Sequence, residues 1–127
     1  MEESVEKLAI ICFLLTGISH IFHPKIWVKF FVKLREMGDV GVFVNGFIHY
    51  PLGAIIVAFH NVWSGIPMIL TLIGYGLLVK GLICFVFPAL AIKSLDRVSP
   101  ERSYEFVVAG IIAVALAGLL LYSLLTR

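Results

Sequence analysis

This sequence predicts an all-α integral membrane protein, an up-down four-helix bundle with an amphipathic interfacial helix after the first span. Three observations predict it. The chain is 61% hydrophobic and 14% charged, with a mean hydropathy of +1.05, which leaves too little polar surface to cover a soluble globule. Its apolar residues fall into four blocks, three of which reach the roughly 20 residues that about 30 Å of hydrocarbon requires. The stretches between blocks are short, so consecutive spans become antiparallel neighbours. The 127 residues therefore form a single transmembrane domain with no separate soluble module.

The first span, about 5–23, is the marginal one. Its uncharged run from Leu8 to Phe22 is 15 residues, so it gains length by letting Glu6 and Lys7 snorkel at one end or by continuing past Pro24 at the other. The opening "MEESVEK" is acidic, where the first part of a signal peptide is basic, and no small-residue cleavage site follows. About 24–37, "KIWVKFFVKLREM" sets Lys25, Lys29 and Lys33 at four-residue steps, with Trp27, Phe30, Phe31 and Leu34 largely opposite. That pattern predicts an interfacial helix which anchors the first span, or in which Lys25, Lys29, Lys33 and Arg35 meet anionic lipid headgroups.

The second span is expected over about 40–63, followed by the hairpin "HNVWSGIP" with Trp63 in the aromatic belt. The third covers about 66–92 and the fourth about 104–125, with Ser99 as N-cap and Pro100 in the first helical position. Seven basic residues, from Lys25 to Arg102, occupy the first and third connections, while Lys7 and Arg127 lie on the opposite side. The excess marks the cytoplasmic face, so both termini face out. Ala109, Ala113 and Ala117 with Gly110 and Gly118 in the fourth span, and Gly74 and Gly81 in the third, permit close helix approach. The same faces suit homo-oligomerisation or another membrane subunit, and no nucleic-acid partner is expected.

"GFIHYPLGAIIVAFHNVW" is apolar enough for lipid yet carries two histidines, a tyrosine and a proline. Asn45, His49 and His60 share one helical face, and at about 1.5 Å per residue His49 sits roughly 14 Å deep and Lys80 roughly 18 Å. A mid-bilayer lysine costs about 3 kcal/mol on insertion scales, so Lys80 must pair, reach water or snorkel. No Asp or Glu lies within a span core; the acceptors are His49, Asn45, Tyr50, Tyr75, Thr16, Ser19 and carbonyls opened by Pro51 or Pro88. The cluster either fixes helix register or marks a pocket of Asn45, His49, Tyr50, Tyr75 and Lys80.

Histidine also raises cofactor chemistry. His20 and His23 have a two-ligand spacing, but no further ligand is evident for zinc, so no metal is expected. Haem b would need His20 and His49 at one level; they match only if the first helix runs on to about Phe30, since a stop at Pro24 leaves His20 about 5 Å deep. Cys12 and Cys84 read as buried thiols. Nucleophile elbow, phosphate-cradling loop and paired carboxylates are missing, so no catalytic residue is assigned.

"HNVW" at 60–63 followed by "TLIGYGLLVKGLICFVFP" at 71–88 resembles a functionally uncharacterised family of small bacterial four-helix membrane proteins. The resemblance covers about half the chain and implies a four-helix bundle in the bacterial inner membrane, with no activity attached. Tyr75 stands where tryptophan is expected. The expected function is binding or conduction of a small solute, with an anion favoured because Lys80, and His49 when protonated, present only donors and positive charge. The rivals are a bis-histidine haem b electron-transfer anchor and a non-catalytic accessory subunit.

Overall fold

Two X-Pro steps shape the fold. In the computed structural model, which describes residues 1–127, the chain is all-helical with no strands: α1 Glu2–Phe22, α2 Pro24–Glu36, α3 Asp39–Phe59, α4 Pro67–Val86, α5 Pro88–Asp96, a 3-10 turn Pro100–Arg102 and α6 Tyr104–Leu125. Four segments, Glu2–Phe22, Asp39–Phe59, Pro67–Val86 and Pro100–Leu125, are long and apolar enough to cross a membrane. Proline disfavours α geometry in the residue before it. His23 accordingly adopts φ −131°, ψ 51° and Phe87 φ −126°, ψ 63°, while each backbone N–H still donates back four residues, to Ser19 and Ile83, at 2.8 Å.

The break at Phe87 divides the block expected as one span over 66–92 into α4 and α5. Pro51 has no such effect, and α3 runs through it. Other boundaries also move. The second span ends at Phe59, and Ser99, extended at φ −150°, precedes the 3-10 turn without a side-chain cap, so α6 begins only at Tyr104. Glu6 does not snorkel: it is fully buried inside the end of α1.

The helices associate chiefly as two pairs, α1 with α6 and α3 with α4, while α2 packs across one end of both pairs and α5 covers the same end of the α3–α4 pair. Glycine permits the approach. A Cβ on Gly17 would lie 2.8 Å from the Gly110 carbonyl oxygen, and one on Gly110 would lie 2.6 Å from that of Gly17. Between α3 and α4, Gly53 faces the backbone of Leu77 and Leu78, Gly74 faces Ile56, and Gly81 faces Tyr50. Gly38 joins α2 to α3 at φ +63°, a left-handed conformation that favours glycine.

The two pairs are counterparts. Gly17, Pro24 and Gly46 recur 64 residues later as Gly81, Pro88 and Gly110, and their contacts recur with them. Gly46 approaches Cys84 and Phe85, while Gly110 approaches His20 and Ile21; Gly81 approaches Tyr50, while Gly17 approaches Val114. Each of these neighbours is also 64 residues from its counterpart. The two halves, α1–α3 and α4–α6, thus correspond at these glycine contacts, the first helix of each pairing with the last helix of the other.

The core divides into two clusters. Val5, Ala9, Ile56, Leu70 and Leu120 pack at one end, and Leu34, Val42, Cys84, Ala91 and Leu95 pack where α2 and α5 cover the other. Large apolar residues such as Leu15, Phe22, Phe47, Ile111 and Leu125 point outward. So many large apolar side chains facing outward make a surface suited to lipid or to a protein partner.

Candidate functional site

His49 and Lys80 meet between α3 and α4. The His49 Nδ1–H donates to the Asn45 carbonyl at 2.8 Å, so its Nε2 is the acceptor that faces the Lys80 ammonium at 3.3 Å. A neutral imidazole carries no charge to offset that of an ammonium.

That charge enters a cavity of about 320 Å³ lined by His20, His49, Lys80, Arg97, Arg102 and Glu105, among others. The break at Pro88 redirects the chain so that α5 and the 3-10 turn bring Arg97 and Arg102 to this mouth. Arg97 donates to both Glu105 oxygens, at 2.7 and 3.2 Å, and this hydrogen bonding pushes its guanidinium above the usual arginine range. With the one lining carboxylate engaged by Arg97, Lys80 and Arg102 leave the mouth positive.

A second cavity of about 390 Å³ adjoins it. Cys12, Phe13, Ile48, Leu52, Leu77 and Ala113 contribute to its wall, and it shares His20, His49 and Ala109 with the first. His20 also points its Nδ1–H to a carbonyl, Thr16 at 2.7 Å, and its ring stacks on Trp27 with centroids 4.2 Å apart. The Trp27 indole N–H in turn donates to Ser19 Oγ at 2.9 Å. Although α1 ends before Pro24, His20 and His49 line the same two cavities. The first helix thus stops before Pro24 rather than running on to about Phe30, and the shared cavities, not a continuous helix, bring the two histidines together.

Other expected pocket residues lie elsewhere. Asn45 is buried, with its amide nitrogen 4.0 Å from Cys84 Sγ and its side-chain oxygen unpartnered, so it supports His49 through its backbone. Tyr50 packs over Gly81 and against Phe85. Tyr75 donates to Asn61 Oδ1 at 3.4 Å beside Trp63; neither tyrosine lines the two cavities. Lys25, Lys29 and Lys33 are exposed, whereas Arg35 donates to the carbonyls of Leu95 and Val98 at 3.2 and 2.9 Å, tying α2 to the end of α5. His, Cys, Asp and Glu side chains form no group of three or more that could hold a metal ion.

A second polar cluster lies at the opposite ends of α1 and α3. Glu6 and His60 are both fully buried, with His60 Nε2 3.4 Å from Glu6 Oε1 and Arg127 donating to Glu6 Oε2 at 2.6 Å. Thr71 Oγ1 donates to the Val62 carbonyl at 2.8 Å and lies 3.0 Å from His60 Nδ1. Its single proton is then committed, so His60 Nδ1 is the donor to Thr71, and His60 Nε2 and Glu6 Oε1 face each other with no hydrogen-bond partner of their own. Sequence reasoning missed this pair because a glutamate near a span end is ordinarily solvated. It also missed Arg97 and Arg102 as cavity residues, their only sequence signal being the basic third connection. Compared with protein families, curated proteins and solved structures, the chain matches none.

Proposed function

We propose that this chain is a multi-pass membrane protein, an up-down bundle of α1, α3, α4 and α6, that binds or conducts a small anion through the cavity beneath Arg97 and Arg102. One observation carries the reading: Lys80 is hydrogen-bonded only to a neutral imidazole at 3.3 Å, inside a cavity whose single carboxylate is engaged by Arg97. An anion there gains ammonium and guanidinium donors in a low dielectric, where pairing is strong. The outward apolar residues suit lipid, and the basic first and third connections favour a cytoplasmic cavity mouth with both termini outside. The resemblance of the HNVW segment favours a bacterial inner membrane. Gly76 and Gly118, against which nothing packs within 4 Å, leave surfaces open to a second copy or another subunit.

Lys80→Met tests the reading. It deletes the charge while keeping length and apolar bulk, and the imidazole it exposes opens to the cavity, so the bundle should retain its stability. In detergent, phosphate, acetate or nitrate at saturating concentration should raise the melting temperature of the wild type by mass action. The variant should bind about 10–100-fold more weakly, the worth of one charged hydrogen bond. Equal stabilisation of both proteins, or of neither by any anion in the panel, would remove the basis for an anion site.

Haem b is the rival reading. It is favoured by His20 and His49 lining the same cavities with Nδ1 tied to a carbonyl on each, which directs Nε2 toward a ligand. On this reading haem displaces Lys80 from His49. Purified protein supplied with haem should then show sharp Soret and α bands that His49→Ala abolishes, and a folded preparation that remains colourless rejects haem.

A further inference from the structure

The anion site has an apolar floor. The charged cavity and the chamber of about 390 Å³ meet at His20, His49 and Ala109, and beyond those residues the wall includes Phe13, Ile48, Leu52 and Leu77. A bare anion uses only the mouth. It would leave an apolar chamber, within the roughly 300–1,000 Å³ range of ligand pockets, with no occupant. The half-to-half comparison bears on the same point. The chamber lies between the two helix pairs and is lined by counterpart residues, Phe13 with Leu77 and His49 with Ala113, each 64 residues apart. Charge enters only near one end of it. Lys80 has Thr16 as its counterpart and His49 has Ala113, so one helix pair, α3 with α4, supplies the cation and its imidazole partner while the other, α1 with α6, supplies small side chains that leave room.

We infer that the site takes an amphiphile whose anionic head, a phosphate or carboxylate, pairs with Lys80 and Arg102 while one apolar chain of it occupies the chamber between the helix pairs. This rests on the anion reading and narrows it. Charge complementarity selects the head, because the mouth carries cations in excess of its one engaged carboxylate. The apolar floor selects the tail, and the open mouth gives the head access from the basic face. A lipid of the surrounding bilayer and a free single-chain amphiphile share this chemistry.

The test is photolabelling of the full chain in nanodiscs with dodecyl phosphate carrying a diazirine at the end of its tail, all additions being expressed as mole fraction in the bilayer. Expected is labelling concentrated on Phe13, Leu52 and Leu77 over the outward residues Leu15 and Leu121, reduced about tenfold or more by Lys80→Met and retained by Lys80→Arg. Competition by phosphatidic acid at equal mole fraction identifies bilayer lipid as the source; competition by unlabelled dodecyl phosphate alone identifies a free amphiphile; either supports the assignment. If phosphate stabilises the protein through Lys80 but the label spreads over the lipid-facing residues, the amphiphile assignment falls and the anion site stands. Equal chamber labelling by the diazirine analogue of dodecanol, insensitive to Lys80→Met, overturns the anionic head. Should phosphate fail to stabilise and the chamber stay unlabelled, both readings fall together. The competition arms use the wild type, so they decide the matter even if Lys80→Met does not fold.

Discussion

Gly53→Ala is expected to destabilise the α3–α4 pair by about 1–3 kcal/mol, the range for overpacking a close contact. The new Cβ would lie 2.5 Å from the backbone nitrogen of Leu78 and 2.9 Å from the carbonyl carbon of Leu77. Backbone cannot rotate away as a side chain can, so the helices must separate and give up contacts along their length. Two controls isolate the cause. Gly118→Ala, whose Cβ meets nothing within 4 Å, should be neutral or stabilise by up to about 1 kcal/mol through helix propensity. Ala117, the counterpart of Gly53 in α6, already carries a Cβ at a buried position, so the α1–α6 pair tolerates there what the α3–α4 pair should not. Equilibrium unfolding in mixed micelles measures all three, and a Gly53→Ala protein as stable as Gly118→Ala would mean that α3 and α4 do not approach as closely as the backbone places them.

The long apolar helices were legible because hydropathy and length report them directly, and the helix over 24–37 was legible because its lysines recur on one face. The fate of each proline was not. Pro51 lies in a helix held against α4 by Gly46 and Gly53, whereas beyond Pro88 the chain gains by turning aside, since Leu95 and Ala91 then pack with Leu34 and Val42. Tertiary contacts make that choice. Depth puts His49 and Lys80 at similar levels, but Asn45, Tyr50, Tyr75, Thr16 and Ser19 remain candidate acceptors, and only the packing of α3 on α4 selects His49. Arg97 and Arg102 could not be joined to them, since their approach depends on the turn at Pro88. Half-to-half correspondence is written in the 64-residue recurrence of Gly17, Pro24 and Gly46, but small residues and prolines are common enough in membrane helices that only the matching contacts distinguish it from coincidence.

The same correspondence supplies a test of the buried Glu6–His60 pair, for the second half places Leu70 and Leu124 at the equivalent positions. Glu6→Leu should cost about 3–5 kcal/mol, the usual result of stranding one member of a buried ion pair. It leaves His60 facing a leucine with an unpartnered Nε2, while Arg127, about half exposed, returns to water at little cost. His60→Leu should cost less, about 1–3 kcal/mol, because Glu6 Oε1 loses its neighbour while Oε2 keeps the Arg127 guanidinium at 2.6 Å. The double variant removes both polar groups and gives each half the same pair of leucines. It should be more stable than either single variant, because two matched apolar groups incur no stranding penalty and the desolvation of the original pair is no longer required. The coupling energy from the four proteins in mixed-micelle unfolding should therefore be large and favourable. Costs that merely add would show that Glu6 and His60 act independently, and the close approach of their side chains would then contribute nothing to the fold. Phosphate binding supplies the spatial control: the pair lies at the opposite end of the bundle from Lys80, so the double variant should bind anion as the wild type does, whereas Lys80→Met should lose binding while keeping its fold.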